Sequence, residues 1–349
     1  MSADANARYY AKKKEERERR SLEQGLNPKT GKPFAQDRTQ WQREYRAKKK
    51  GIVHNHPGFT ITHPPSDELS AEELIEQRCQ AFRVKKDYED GRKLIPVEVH
   101  LSGPIGILHF GDPHVDDDGC DWDILKRDID IVRNTPGLFC ANIGDTTNNW
   151  VGRLAKLYGQ QGTSAKQAWI LAEWFIRRLE GRWLYMVGGN HDCWSGDADP
   201  LNWVAGAVRA LYEPSEARLG LRFKNGREVI INARHDFAGS SQWNPTHGAM
   251  KAIQMGIRDD VAICGHKHKS GYSPLKDPDT GKICHAIQVA SYKIYDRYAR
   301  EKGFRDQSLS PCVVTIIDPD ATDAADLVHV FWNPVRAAEY LTFLRGKKK

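Results

Sequence analysis

From Leu94 onward, short apolar runs of strand length alternate with stretches whose apolar residues recur every three or four positions. The runs fall at 105–110, 138–143, 183–187, 261–264, 313–317 and 327–331. A further run at 229–232 is entered through Asn225-Gly226, a dipeptide suited to a tight hairpin. Helical spacing predicts one helix over 122–133 and a longer one through Ala168, Leu171, Ala172, Phe175, Ile176 and Leu179. Asn244-Pro245-Thr246-His247 reads as the opening of another, with His247 a surface residue at its start. Buried strands alternating with helices predict a layered α/β domain over 94–349.

The pattern changes before Leu94. Leu69, Leu74, Ile75, Cys79 and Phe82 recur near helical spacing behind the capping candidates Ser66 and Ser70, which predicts an amphipathic helix over 66–93 docking on the main domain. Residues 51–65 are punctuated by Pro and Gly and read as a linker. Residues 1–50 read as a basic helical arm, two short helices about the turn 27–31, with too few apolar residues to hold a core. No apolar stretch of about 18 residues appears, and the first twenty residues hold no apolar run, so neither a membrane span nor a secretory signal is expected and the chain reads as cytoplasmic.

Charge sharpens this division. The arm holds fifteen Lys or Arg against seven Asp or Glu, a balance of +8, whereas the other 299 residues carry 37 basic and 39 acidic side chains. Tyr9, Tyr10, Phe34, Trp41 and Tyr45 interleave with the cations, a composition suited to nucleic acid, where basic residues release phosphate counterions and aromatics stack on bases. A protein partner or a solvated arm fits the same composition. The seven cysteines are odd in number and form no C-x-x-C pair, so they are expected to be reduced and mostly packed in the core.

The chemistry-bearing residues stand directly after the apolar runs. Gly111-Asp112-Pro113-His114 follows the first, Gly144-Asp145-Thr146-Thr147-Asn148 the second, and Gly188-Gly189-Asn190-His191-Asp192 the third. His235-Asp236 follows the hairpin strand, and Gly265-His266-Lys267-His268 follows 261–264. Any one of these could be an ordinary turn or a structural histidine. Five in succession, each at a strand end where loops present side chains without disturbing the core, point to one shared site.

The ordered set D-x-H, G-D-x-x-N, G-N-H-D, H and G-H-x-H resembles the calcineurin-like metallophosphoesterase family over roughly residues 103–332. The resemblance implies a two-sheet α/β sandwich flanked by helices. It also implies two divalent metal ions: one on Asp112, His114 and His268, one on Asn190, His235 and His266, with Asp145 bridging. His191 would remain unligated as the general acid, with Asp192 supporting its orientation. Two cations about 3.5–4 Å apart can share a hydroxide and clamp both oxygens of an in-line displacement. Carboxylate, amide and imidazole donors without thiolate suit Mn²⁺, Fe or Zn²⁺ over copper, and Mn²⁺ is the expected ion.

The expected activity is therefore metal-dependent phosphoester hydrolysis, most readily of a phosphodiester in nucleic acid or a nucleotide, as a phosphodiesterase or nuclease. The protein serine/threonine phosphatases carry G-D-x-x-D-R-G and R-G-N-H-E; here Asn148-Asn149 and Gly188-Gly189 leave both arginines missing, which disfavours a protein phosphatase. A phosphomonoesterase is the alternative. A non-catalytic adaptor on the same fold is a further one, disfavoured because such adaptors lose the acid histidine. Asn148, Arg153 and Trp194 are the candidates for substrate contact, Arg153 because its planar fork suits phosphate. The strands near 313–317 and 327–331 are expected in the second sheet.

Overall fold

A computed structural model describes residues 53–62, 68–195, 199–295, 301, 303 and 307–347. The basic arm lies outside the described residues. The chain divides into two compact units, residues 1–85 and 86–349. In the first, strands β1 (Val53–His56) and β2 (Phe59–Thr62) form an antiparallel hairpin inside the stretch expected as a linker. Helix α1 (Ala71–Arg92) falls within the span predicted for it, its first turn closed by a reciprocal pair between Ser70 and Glu73. None of its residues is buried, and Leu74, Ile75 and Phe82, expected to face another surface, are exposed.

The second unit runs β3 (Ile95–Val99), β4 (Ile105–Phe110), α2 (Trp122–Asn134), β5 (Leu138–Asn142), α3 (Ala165–Arg178), β6 (Trp183–Gly188), α4 (Asn190–Cys193), α5 (Pro200–Ala207), β7 (Tyr212–Pro214), β8 (Glu216–Phe223) and β9 (Glu228–Arg234). It continues through α6 (His247–Met255), β10 (Val261–Cys264), β11 (Gly271–Lys276), β12 (Ile283–Gln288), β13 (Cys312–Ile317), β14 (Val328–Phe331) and α7 (Pro334–Gly346). Two six-stranded sheets result, ordered β14-β13-β4-β5-β6-β7 and β11-β12-β10-β9-β8-β3.

Strand β4 is buried along its whole length, and its period of two sends alternate residues to different cores. Leu108 and Phe110 join the layer built with Leu125 and Ile129 of α2, Phe175 and Ile176 of α3, and Leu341 of α7. Ile105 and Ile107 join Leu219, Ile231 and Ile263 of the second sheet in the layer between the sheets. The predicted sandwich is thus the observed one. Its last strands belong elsewhere than expected: β13 pairs antiparallel with β4 and carries β14 beside it, so both extend the first sheet. The fully buried run of β13 covers the edge of β4 that β5 leaves open.

What positions the site is strand direction. β4, β5 and β6 are parallel neighbours, and so are β9 and β10. All five polar clusters therefore leave carboxyl ends, three from one sheet and two from the other.

One buried polar group ties the first sheet together away from the site. His109 of β4 meets Tyr185 Oη at 2.9 Å through Nδ1 and Thr315 Oγ1 at 2.9 Å through Nε2, joining β4 to β6 and β13. Burial pushes its pKa down to about 3. In the unfolded chain the same ring protonates near 6.5, so the unfolded state binds the extra proton as pH falls below that value, and stability is lost. This ring alone should cost about 2 kcal/mol between pH 7 and pH 5. The gap in unfolding free energy between wild type and His109→Gln should shrink by that amount over the same interval in urea titrations; a constant gap would contradict the account.

Candidate metal centre

The loop after β4 turns back through Asp112 and His114, whose φ angles of 23° and 41° are left-handed. Asp145 (50°), His266 (68°) and His268 (49°) share that unusual backbone, as does Asn149 (41°). Six of the eight described non-glycine residues with positive φ thus lie in these loops, a concentration of strain that persists only where surrounding bonds over-determine it. Those bonds are present. The His114 amide donates to the Asp145 carbonyl at 3.0 Å, the His266 amide to Asp112 Oδ2 at 2.6 Å and the His191 amide to Asp145 Oδ1 at 2.9 Å. Glycines permit the close approaches: a Cβ on Gly189 would stand 2.1 Å from Asp145 Oδ1, and one on Gly265 2.3 Å from Asp112 Oδ1.

All seven residues assigned to metal by resemblance are brought together. Around one side of Asp145, His235 Nε2 lies 3.2 Å from Oδ2, 3.0 Å from Asn190 Oδ1 and 3.1 Å from His266 Nδ1. His235 Nδ1 faces the Ile143 carbonyl at 3.0 Å, and because a carbonyl only accepts, the ring proton belongs on Nδ1. Nε2 is then the edge turned to Asp145, Asn190 and His266, an arrangement of acceptors that a proton or a cation at that edge would satisfy. On the other side, His268 Nε2 stands 3.4 Å from Asp112 Oδ2, His114 Nε2 stands 3.9 Å from Asp145 Oδ2, and the His114 and His268 rings are 5.2 Å apart.

This donor set fits cations. Asp112 Oδ1 is buried with no hydrogen-bond partner, and ligand atoms of Asp145, His235 and His266, and separately of His114, Asp145 and His191, lie within 4.8 Å of one another. Unpaired buried polar atoms are costly, and ligation is one remedy. The electrostatics agree. Burial alone would lower the His235 pKa, but Asp145 and then Asp112 override it and raise it to about 10, so this position seeks positive charge. Burial pushes Asp112 well above the carboxylate range, whereas Asp145, despite its burial, is held well below it, chiefly by His235.

His191 sits beside both groups. Its Nδ1 faces the Asn148 carbonyl at 2.6 Å, so the proton there is again fixed, and Nε2 lies 3.9 Å from Asp145 Oδ2. Asp192 does not orient this ring as expected. Its buried carboxylate accepts from the Gly189 amide at 2.9 Å and the Thr146 amide at 3.1 Å, lacing the β5 and β6 loops together. Burial and then Asp145 raise its pKa to about 7. The ring is held instead by Asn148 and, through its own carbonyl, by Asn149 Nδ2 at 2.7 Å.

The substrate candidates divide. Trp194 packs tilted against His191, centroids 4.2 Å apart, and is 38% exposed. Arg153 is exposed on the 3-10 turn Gly152–Gln160 and makes no hydrogen bond or ion pair with the cluster. The Asn148 side chain is engaged by Asp117 at 2.8 Å and Gln161 at 3.1 Å, so its contribution to the site is its carbonyl. Sequence reading missed Asp116, which accepts the Asn148 amide at 2.7 Å, and Ser291, whose hydroxyl donates to the Asp112 carbonyl at 2.7 Å. Ser291 follows β12, a strand end without a histidine or carboxylate to mark it.

The two-sheet sandwich, with the five polar loops gathered at one margin of it, is the arrangement expected from the ordered motifs of the sequence. No protein-family model matches the chain, and no curated protein does. Solved structures are similar to it. The NAD nucleotidase of Haemophilus influenzae aligns over 65% of this chain and 49% of its own, at 9% identity and a TM-score of 0.34. The calcineurin-like phosphoesterase YfkN of Bacillus subtilis aligns over 70% of this chain and 99% of that one, at 14% identity and 0.34. Vacuolar Protein Sorting 29 of Cryptosporidium parvum aligns over 66% and 98%, at 12% and 0.34. The chain spans about half the length of the NAD nucleotidase.

Removing the shared carboxylate should empty the centre. After equilibration with Mn²⁺ and gel filtration, wild type should retain about two ions per chain and Asp145→Asn fewer than one by elemental analysis. Mn²⁺ at a hundred times its dissociation constant should stabilise wild type by about 2.7 kcal/mol for each ion bound, and the variant by much less. Equal metal content in the two proteins would remove Asp145 from the centre.

Proposed function

We propose that this protein is a dinuclear-metal-dependent phosphodiesterase or nuclease acting on nucleic acid or nucleotides. The observation that carries the reading is the juxtaposition, around Asp145 Oδ2, of the His235–His266–Asn190 group, the Asp112–His114–His268 group and the free edge of His191. Divalent cations, when bound, supply Lewis-acid polarisation of a phosphoester and a water acidic enough to attack near neutral pH. Carboxylate, amide and imidazole donors without thiolate suit Mn²⁺, Fe or Zn²⁺ over copper, and of these Mn²⁺ is the ion we favour.

The chain's own part is to hold a proton at a fixed place. With Nδ1–H donated to Asn148, His191 can carry a second proton only on Nε2, the edge facing the centre. Its amide on Asp145 and its carbonyl on Asn149 fix the backbone on both sides, and the bond from Nδ1 to Asn148 sets the ring. An imidazolium so placed can donate to a departing alkoxide as general acid. The choice of a diester rests on the missing phosphate-gripping arginines and on the +8 arm, both read from the sequence.

Wild type with Mn²⁺ should hydrolyse bis-p-nitrophenyl phosphate and cut DNA, RNA or a dinucleotide; cleavage of monoesters alone would move the reading to a phosphomonoesterase. His191→Ala should slow turnover by roughly 10² to 10⁴ while metal content stays unchanged. The loss should be larger for a natural alkoxide leaving group than for nitrophenolate, and equal losses would argue against an acid role.

We also propose that residues 1–50 deliver nucleic acid to the site. Each phosphate the arm neutralises should contribute about −0.9 to the slope of log affinity against log salt on duplex DNA. Deleting the arm should flatten that slope and weaken binding; an unchanged slope would favour a protein-binding arm.

A further inference from the structure

His191 lies at a corner built with two indole rings. Trp194 is three residues on, across the short turn of α4, so both side chains leave the same side of the backbone. Their ring centroids are 4.2 Å apart at an interplanar angle of 41°. Trp150 approaches His191 edge-on at 5.2 Å and stands 6.3 Å from Trp194 at 34°. Its Nε1 donates to Gln161 Oε1 at 2.8 Å, and Gln161 is itself tied to Asp116 at 3.2 Å. That indole is therefore set in place before any ligand arrives, without help from the metal-facing residues.

Neither indole is spent on the core. Trp194 and Trp150 belong to none of the hydrophobic clusters that hold the sandwich, whereas Trp122, Trp169 and Trp183 pack against one. Trp194 leans one side on His191 and leaves 38% of its surface to solvent. Large apolar rings kept beside a polar centre, partly exposed and fixed in orientation, offer a π-face to a planar ligand group. Positioning His191 does not require them, because Asn148, Asn149 and Asp145 already hold that residue at three atoms.

We propose that Trp194, backed by Trp150, is the stacking subsite for a purine or pyrimidine base of the substrate, next to the oxygen that His191 would protonate. This rests on the reading of the site as a phosphoesterase and adds the class of group it recognises. Stacking is indifferent to base identity, so the subsite should select for a base over no base, without choosing strongly among bases.

The test compares two probes that differ only in the base, AMP and ribose 5-phosphate, binding to the full-length Mn²⁺-loaded protein by calorimetry. Wild type should bind AMP about ten- to hundredfold more tightly than ribose 5-phosphate. Trp194→Leu should erase most of that preference while leaving ribose 5-phosphate binding in place, and Trp194→Phe should keep most of it. Cytidine monophosphate should show a preference of similar size. Equal binding of AMP and ribose 5-phosphate by wild type, or a preference that survives in Trp194→Leu, would overturn the proposal, as would failure of both probes to bind. Because binding is read without turnover, a protein that prefers AMP but hydrolyses no ester would refute the enzymatic reading and leave the subsite standing.

Discussion

The site depends on a single buried carboxylate. Asp145 leaves the end of β5 in a left-handed turn, receives the His191 amide on one oxygen and presents the other to His235, His114 and His191. A negative charge in so enclosed a place is tolerable only because imidazoles and amides converge on it. The same requirement explains the backbone strain, since Asp112, His114, His266 and His268 can meet at short range only if their loops turn sharply at once. Glycines at 189 and 265 admit those turns where any Cβ would collide with a carboxylate.

Much of this was legible in the sequence because two signals coincided. Apolar runs located β4, β5, β6, β9 and β10 to within a residue or two, and the polar clusters sat directly beyond them, where the direction of a strand determines where its loop emerges. Residue types with metal-ligating chemistry in that position needed no tertiary information to be recognised. The sandwich followed from the same placement.

What stayed hidden depends on partners distant in the chain. Nothing local distinguishes β13 as a neighbour of β4 from a strand of the other sheet, because a run buried on both faces reads alike in either place. Asp192 looked like a brace for His191 because it adjoins it, yet the fold turns its carboxylate to Thr146 and Gly189. Ser291 carries no metal-ligating group to announce it, and it reaches Asp112 only because β12 ends beside β10.

The proposed ligands are shared unequally between the sheets: Asp112, His114, Asp145 and Asn190 ride on the first, His235, His266 and His268 on the second. Between the sheets lies an apolar layer with no directional bonds of its own, in which Ile107 and Ile143 face Ile231 and Ile263. Such a layer holds the sheets together by burial and close packing rather than by directional bonds. An ion held by residues of both sheets would act as a rivet at one margin of that layer. The loaded and empty proteins should therefore differ in how far one sheet can shear over the other, with amide exchange slowed upon loading in β9 and β10 as well as in the ligand loops.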